Sequence, residues 1–340
     1  MAFFEALIAL LIILLCAEVF TNGVEVFGEK LSLSQAVVGS ILAAVGTALP
    51  ETIIPLVAIL LYQGSAGSHI GVGAILGAPF MLATLGLFLV GIGVWIGYLQ
   101  KKRELKIYLE ERTFKRDFFF FLLSYSIAIF IPLIFPNNWT LHYLVAFILL
   151  LNYGIYLFLT FRSESLEVEA YKDLYLEKPF LWMGIRLPKK GTVLLAFLQS
   201  ITAIVVMVKG AHLFVHALEI LSHKWGISPL LFALLVAPVA TELPEKFNSL
   251  LWTLRKKDVL ALGNMTGAMV FQSTFPVSVG LLFTEWKIEG LALVSAIITL
   301  SLGVIYLMAI KFARNLHPTL LLLSGLCYIF YILAVLYSLK

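Results

Sequence analysis

The chain has 340 residues, 61% of them hydrophobic and only 13% charged, with a mean hydropathy of +0.99. Its 24 Lys and Arg exceed its 20 Asp and Glu by a formal +4. This balance excludes a soluble domain, and the lack of a basic, aromatic-interleaved patch beyond the membrane edges excludes a nucleic-acid binder. At about 20 apolar residues per span, the length accommodates roughly ten transmembrane helices.

Span 1 covers about residues 2–27, with Glu18 inside it. It lacks the basic start and small-residue cleavage site of a signal peptide, and its apolar run is long enough to cross a bilayer. Span 2 covers about 35–62 and span 3 about 69–98, where Pro79 predicts a break. Residues 101–117 carry both charges densely and read as a solvated loop with some amphipathic helix. Spans 4 and 5 cover about 118–135 and 141–161, separated by the turn Pro136-Asn137-Asn138. Spans 6 to 10 cover about 192–222, 229–254, 259–283, 290–313 and 318–338. Residues 162–190 are the longest polar segment, so the chain divides into a first five-helix half (1–161), a cytoplasmic linker (162–190) and a second five-helix half (191–340).

With the N-terminus outside, 19 of the 24 Lys and Arg fall in inner loops, and only Lys224, Lys287 and Lys340 fall outside. Lys209 and Lys246 are intramembrane. That asymmetry supports both the orientation and the helix count and puts both termini outside; the plasma membrane is the expected location.

Two apolar runs carry the same acidic stretch. Near residue 47 it is Thr47-Ala48-Leu49-Pro50-Glu51, and near 241 it is Thr241-Glu242-Leu243-Pro244-Glu245. A carboxylate at bilayer depth is costly unless it faces a cavity or a partner. A proline beside it withdraws a backbone donor and loosens the helix. The carbonyls so freed, with the carboxylate, are hard oxygen ligands of the kind that hold calcium or sodium. Thr47 with Glu51, and Thr241 with Glu245, are four apart and share a helix face.

The two stretches align at an offset of 194; further on, Gly73 meets Gly263 and Gly77 meets Gly267 at an offset of 190. The match spans helices 1–3 and 6–8. Five helices per repeat, an odd number, force the second copy to insert upside down, as in many secondary transporters.

These residues resemble the calcium/cation antiporter family, whose best-known branch is the sodium/calcium exchangers. Its paired repeats carry a Gly-Thr-Ser-Leu-Pro-Glu-like segment, then a Gly-Asn-x-x-Gly-Ser-Asn-like one. Here they read Gly46-Thr47-Ala48-Leu49-Pro50-Glu51 with Gly73 to Leu82, and Ala240-Thr241-Glu242-Leu243-Pro244-Glu245 with Gly263 to Gln272. The resemblance implies an all-α polytopic membrane protein of ten helices in two inverted five-helix repeats. It implies a secondary-active antiporter exchanging calcium or a related cation for sodium or protons. Glu51 and Glu245 would be central ligands, with Thr47, Thr241, Glu242 and Gln272 around them and spans 1 and 6 sliding past the core. Inorganic cations and the lipid bilayer are the expected partners, with no cofactor.

The chain also departs from the pattern. Leu82 stands where the family has Asn or Asp. Ala48, Ala78 and Ala268 replace hydroxyls expected to complete sodium sites, and Glu242 and Lys246 are additions. Carboxylates crowded together raise one another's proton affinity, which suits a proton as counter-ion. Glu242 is open to two readings, as a ligand or as the salt-bridge partner of Lys246. The departures leave a transport-inactive or regulatory membrane protein as the alternative. No His-Glu-x-x-His, nucleophile elbow or phosphate loop points to an enzyme.

Several other features carry less. Glu18 and Lys209 read either as a pair or as interfacial groups. His212 and His216 have metal spacing but no third ligand. The run Phe118–Phe121 reads as lipid-facing, and Cys16 and Cys327 as small buried hydrophobes.

Overall fold

Apolar runs that meet no water must bond their own amides, and helices do so within one segment. The computed structural model describes residues 1–31, 48–163, 173–184, 188–313 and 316–339, and among them there is no strand. The helices are α1 (Ala2–Lys30), α2 (Leu49–Leu60), α3 (Gly67–Met81), α4 (Leu87–Leu99), α5 (Glu111–Ile134), α6 (Trp139–Ser163) and the short α7 (Lys178–Trp182). They continue as α8 (Lys189–Trp225), α9 (Pro229–Thr241), α10 (Leu243–Leu254), α11 (Asp258–Gln272), α12 (Phe275–Phe283), α13 (Gly290–Ala313) and α14 (Pro318–Tyr337). Among the described residues eight stretches are long and apolar enough to span a membrane, and the shorter α2 and α9 mark the other two expected spans. The N-terminal part of span 2, with Thr47, lies outside the described residues.

Close approaches show the inversion directly. A Cβ on Gly67 would lie 2.5 Å from the Ala58 carbonyl oxygen, and one on Gly71 3.2 Å from that of Pro55, so α2 and α3 run antiparallel. A Cβ on Gly73 would lie 2.2 Å from the Leu230 oxygen, one on Gly77 2.1 Å from that of Leu234, and one on Gly93 3.1 Å from that of Leu250. The constant difference of 157 means that α3 and α4 run parallel to α9 and α10. The two motif helices, α2 and α10, therefore point in opposite directions. Absent side chains at Gly73 and Gly77 let the backbones meet, since packing rather than water drives helices together in lipid. α1 and α8 pair antiparallel at one side, with His216 Nδ1 2.9 Å from Glu5 Oε1 at one end and a Cβ on Gly23 meeting Ser200 toward the other.

Three spans differ from the expectation. Pro79 does not break its helix; α3 passes through it and widens into a π-helical turn at Leu82–Gly86 before α4. Span 7 is interrupted at Glu242, between α9 and α10, and span 8 at Ser273–Thr274, between α11 and α12. Proline explains both interruptions: Pro244 and Pro276 each stand at the second position of the helix that resumes, where a missing N–H is tolerated.

Two surface expectations are overturned. Of the phenylalanine run only Phe119 is exposed, while Phe118, Phe120 and Phe121 are buried, with Phe118 edge-on to Tyr306. Residues 101–110 are not simply a solvated loop: Ile107 is buried, and Arg103 forks onto buried Asp258 with nitrogen–oxygen distances of 2.7 and 2.6 Å. The fork closes because Asp258 opens α11 after a turn in which Lys256 takes positive φ.

Residues 173–177 of the linker dock on α1 and α8. Tyr175 N donates to Asn22 Oδ1 at 3.0 Å, and Leu176 N to Gln199 Oε1 at 3.0 Å. Glu18 accepts from the Tyr175 hydroxyl at 2.6 Å, and Lys209 is exposed with no ion pair among the described residues, so the Glu18–Lys209 pair is not formed.

Candidate functional site

Both motif glutamates occupy the third position of a helix. Leu49-Pro50-Glu51 opens the described stretch of α2, and Leu243-Pro244-Glu245 opens α10. The first turn of a helix has free N–H groups and the positive end of its dipole, which favours a carboxylate there. Because α2 and α10 run in opposite directions, their acidic ends are brought to one level rather than to the two faces of the bilayer.

Glu242 is the residue of the break itself, and its side chain is fully buried. Its N–H donates to the Pro238 oxygen at 2.8 Å and its oxygen accepts from Lys246 N at 3.0 Å. Pro244 has no N–H, so the Ala240 carbonyl beside Glu242 receives no helical bond from it. Gln272, the last residue of α11 and also buried, donates from Nε2 to Glu242 Oε1 at 3.3 Å. Glu242 Oε2 and Glu51 Oε2 are buried with no hydrogen-bond partner among the described residues. A buried carboxylate oxygen left unpaired is costly, and a bound cation would satisfy it.

The charges of Glu242, Glu245 and Lys246 all bear on Glu51. Lys246 is 3% exposed. Among the described residues its ammonium makes no hydrogen bond or ion pair, so of the two readings of Glu242 the salt bridge to Lys246 is not formed within 4 Å. Its ammonium instead acts on the three carboxylates at longer range. The Thr241 hydroxyl is buried and bonds back to the Ala237 oxygen at 3.0 Å. Thr47 lies outside the described residues. Among those residues no three His, Cys, Asp or Glu side chains converge closely enough to hold a metal ion. The carboxylates are thus gathered but not closed round a point, and His212 and His216 form no metal site either. His212 stacks edge-on against Tyr62, while His216 meets Glu5.

Leu82, the position matching Gln272 in the other half, is fully buried and opens the π-helical turn. The two halves therefore loosen at matching places, residues 82–86 and the break after 272. Extending the parallel offset of 157 sets Leu85 level with Glu242, so the π turn lies beside the broken helix. Such turns recur at functional sites.

Sequence reasoning missed the hydroxyls that mend the second break. Ser273 Oγ and Thr274 Oγ1 donate to the Val270 oxygen at 2.9 and 2.8 Å, and Ser278 Oγ bridges to the Ala146 oxygen at 3.1 Å. The cluster Gln272-Ser273-Thr274 before Pro276 was the available signal. Also missed were Asp117, which accepts from Thr266 at 2.6 Å, and Ser249, which accepts from Asn264 at 3.0 Å. Both fix α11, and with it Gln272.

A sequence model of the family described as sodium/calcium exchanger protein matches residues 1–162 and 195–340. The inner membrane protein YrbG of Escherichia coli strain K12 is 23% identical over 289 residues, 84% of this chain and 81% of YrbG. Among solved structures, the crystal structure of the H+/Ca2+ exchanger CAX superposes with a TM-score of 0.70 at 18% identity, covering 99% of this chain and 84% of that one. The sodium-calcium exchanger NCX_Mj, soaked with 10 mM Na+ and zero Ca2+, gives a TM-score of 0.55 at 20% identity, covering 98% of this chain and 99% of that one.

Proposed function

This chain belongs to the sodium/calcium exchanger protein family, and from that premise we propose that it is a secondary-active antiporter exchanging calcium or a related cation for sodium or protons. The observation that carries the reading is the pair of buried oxygens, Glu51 Oε2 and Glu242 Oε2, one from each inverted half, that have no hydrogen-bond partner among the described residues. Glu51 and Glu245 are the central ligands. Glu242, Gln272, Thr241 and Thr47 surround them, and cation entry draws the set closed. Calcium takes six to eight oxygens, several of them anionic, which this set approaches with the loosened carbonyls. The missing side-chain oxygens at Ala48, Ala78 and Ala268 favour the proton, which needs no ligand shell, over sodium as counter-ion.

Residues 1–161 and 191–340 act as the two halves, joined by the cytoplasmic linker 162–190, with both termini outside the plasma membrane. Access alternates by movement of α1 and α8 past the core. The test is calcium flux into reconstituted vesicles under an imposed sodium or pH gradient. Glu51→Gln and Glu245→Gln abolish it; flux unchanged in both would remove the site assignment.

A second reading, a transport-inactive relative of the same fold, is favoured only by Leu82 and Lys246 at the centre. Calorimetric titration with calcium, sodium and other divalent ions separates the two, since that reading requires no binding at all.

A further inference from the structure

The role of Lys246 deepens the antiporter reading and rests on it. The centre holds three carboxylates, Glu51, Glu242 and Glu245, and one ammonium. Lys246 is buried on the first turns of α10 and has no partner of its own among the described residues. It is not spent on one glutamate, because no ion pair with Glu242 forms. Gln272 instead occupies Glu242 Oε1, while Glu242 Oε2 and Glu51 Oε2 have no hydrogen-bond partner among the described residues. An ammonium this deep in hydrocarbon is tolerated only against opposite charge. It therefore counts toward the charge of the whole site.

We propose that Lys246 is a tethered counter-cation that fixes the ion-free site at two negative charges, so that one divalent ion, or two monovalent ions, neutralises it. A low-dielectric barrier penalises any uncompensated charge that crosses it, so the carrier moves most readily when its site is neutral. One divalent ion is then exchanged for two monovalent ions and no net charge is moved. Without the ammonium the site carries three negative charges. One calcium then leaves one negative charge uncompensated on the inward step, while three monovalent ions neutralise the return step, so one positive charge leaves the vesicle for every calcium that enters.

The test is calcium uptake into proteoliposomes at opposed, clamped membrane potentials. The wild type takes up calcium at the same rate at both. Lys246→Met becomes several-fold faster with the interior positive. Lys246→Arg keeps the wild-type indifference to potential. The double variant Glu242→Gln/Lys246→Met, whose site is again doubly negative, regains it. Uptake by Lys246→Met that ignores potential overturns the proposal, as does wild-type uptake that depends on it. The second result decides the matter even where the methionine variant does not fold. No calcium uptake by the wild type is a different failure: it removes the antiporter reading and the counter-cation role with it.

Discussion

Gln272 Nε2 donates to Glu242 Oε1 at 3.3 Å, joining the end of α11 to the break between α9 and α10. The contact links two discontinuous helices of the second half at the one carboxylate that neither repeat symmetry nor family resemblance called for. Hydrogen bonds to charged groups are worth about 1.5–3 kcal/mol, and about 1.4 kcal/mol is a tenfold change in affinity. Gln272→Leu, which copies the residue of the first half, is expected to weaken calcium binding roughly tenfold or more by calorimetry. Unchanged affinity would show that Gln272 serves only packing.

The Arg103–Asp258 fork is the most buried ion pair among the described residues. Arg103 also donates to the Thr253 oxygen at 2.7 Å and to the Lys106 oxygen at 2.5 Å, and Tyr108 N donates to Asp258 at 3.0 Å. Removing one partner strands the other charge, at a cost of about 3–5 kcal/mol. Arg103→Ala should therefore lower the melting temperature in detergent by several degrees. Arg103→Lys should recover only part of this, because an ammonium cannot fork onto both carboxylate oxygens. Equal melting of Arg103→Ala and wild type would refute the assignment.

Gly77 is the tightest of the close approaches between α3 and α9. The atom a methyl group would strike is backbone, the Leu234 oxygen, which cannot swing aside. Gly77→Ala must push the helices apart, and overpacking of this kind costs about 1–3 kcal/mol. The variant is expected to melt earlier and to lose transport. Gly154→Ala, at a position with open space around it, is the control that should do neither.

The Tyr175 hydroxyl donates to Glu18 at 2.6 Å, and that bond, with the glutamate charge behind it, pushes the phenol up to about 12. The ordinary tyrosine value is about 10. A value raised by folding means that the contact stabilises fully below pH of about 10 and is lost as the pH rises through about 12. The stability difference between wild type and Tyr175→Phe should be flat near neutrality and vanish over that interval. A difference that persists beyond it would show that the hydroxyl does not donate to Glu18.

Much of the candidate site was legible because its signals are local. A glutamate inside an apolar run, a proline one residue before it and a second copy 194 residues later can be counted without coordinates. Pro79 misled for a related reason. Proline reports only that one donor is missing, and whether the chain answers with a break or with a wider turn depends on its surroundings. Phe118–Phe121 misled because uniform apolarity looks the same whether a side chain meets lipid or another helix.

What the sequence determined by itself was the number of spans, the doubling of the motif and the opposite insertion of its copies, because hydropathy, spacing and an odd helix count act along the chain. Only the tertiary structure decided that Glu242 meets Gln272 and not Lys246, that Arg103 reaches Asp258 155 positions away, and where the spans break. Those outcomes turn on which polar groups are brought within bonding distance by helices packed from the two halves. In a medium that offers no water as a substitute, the nearest available partner prevails.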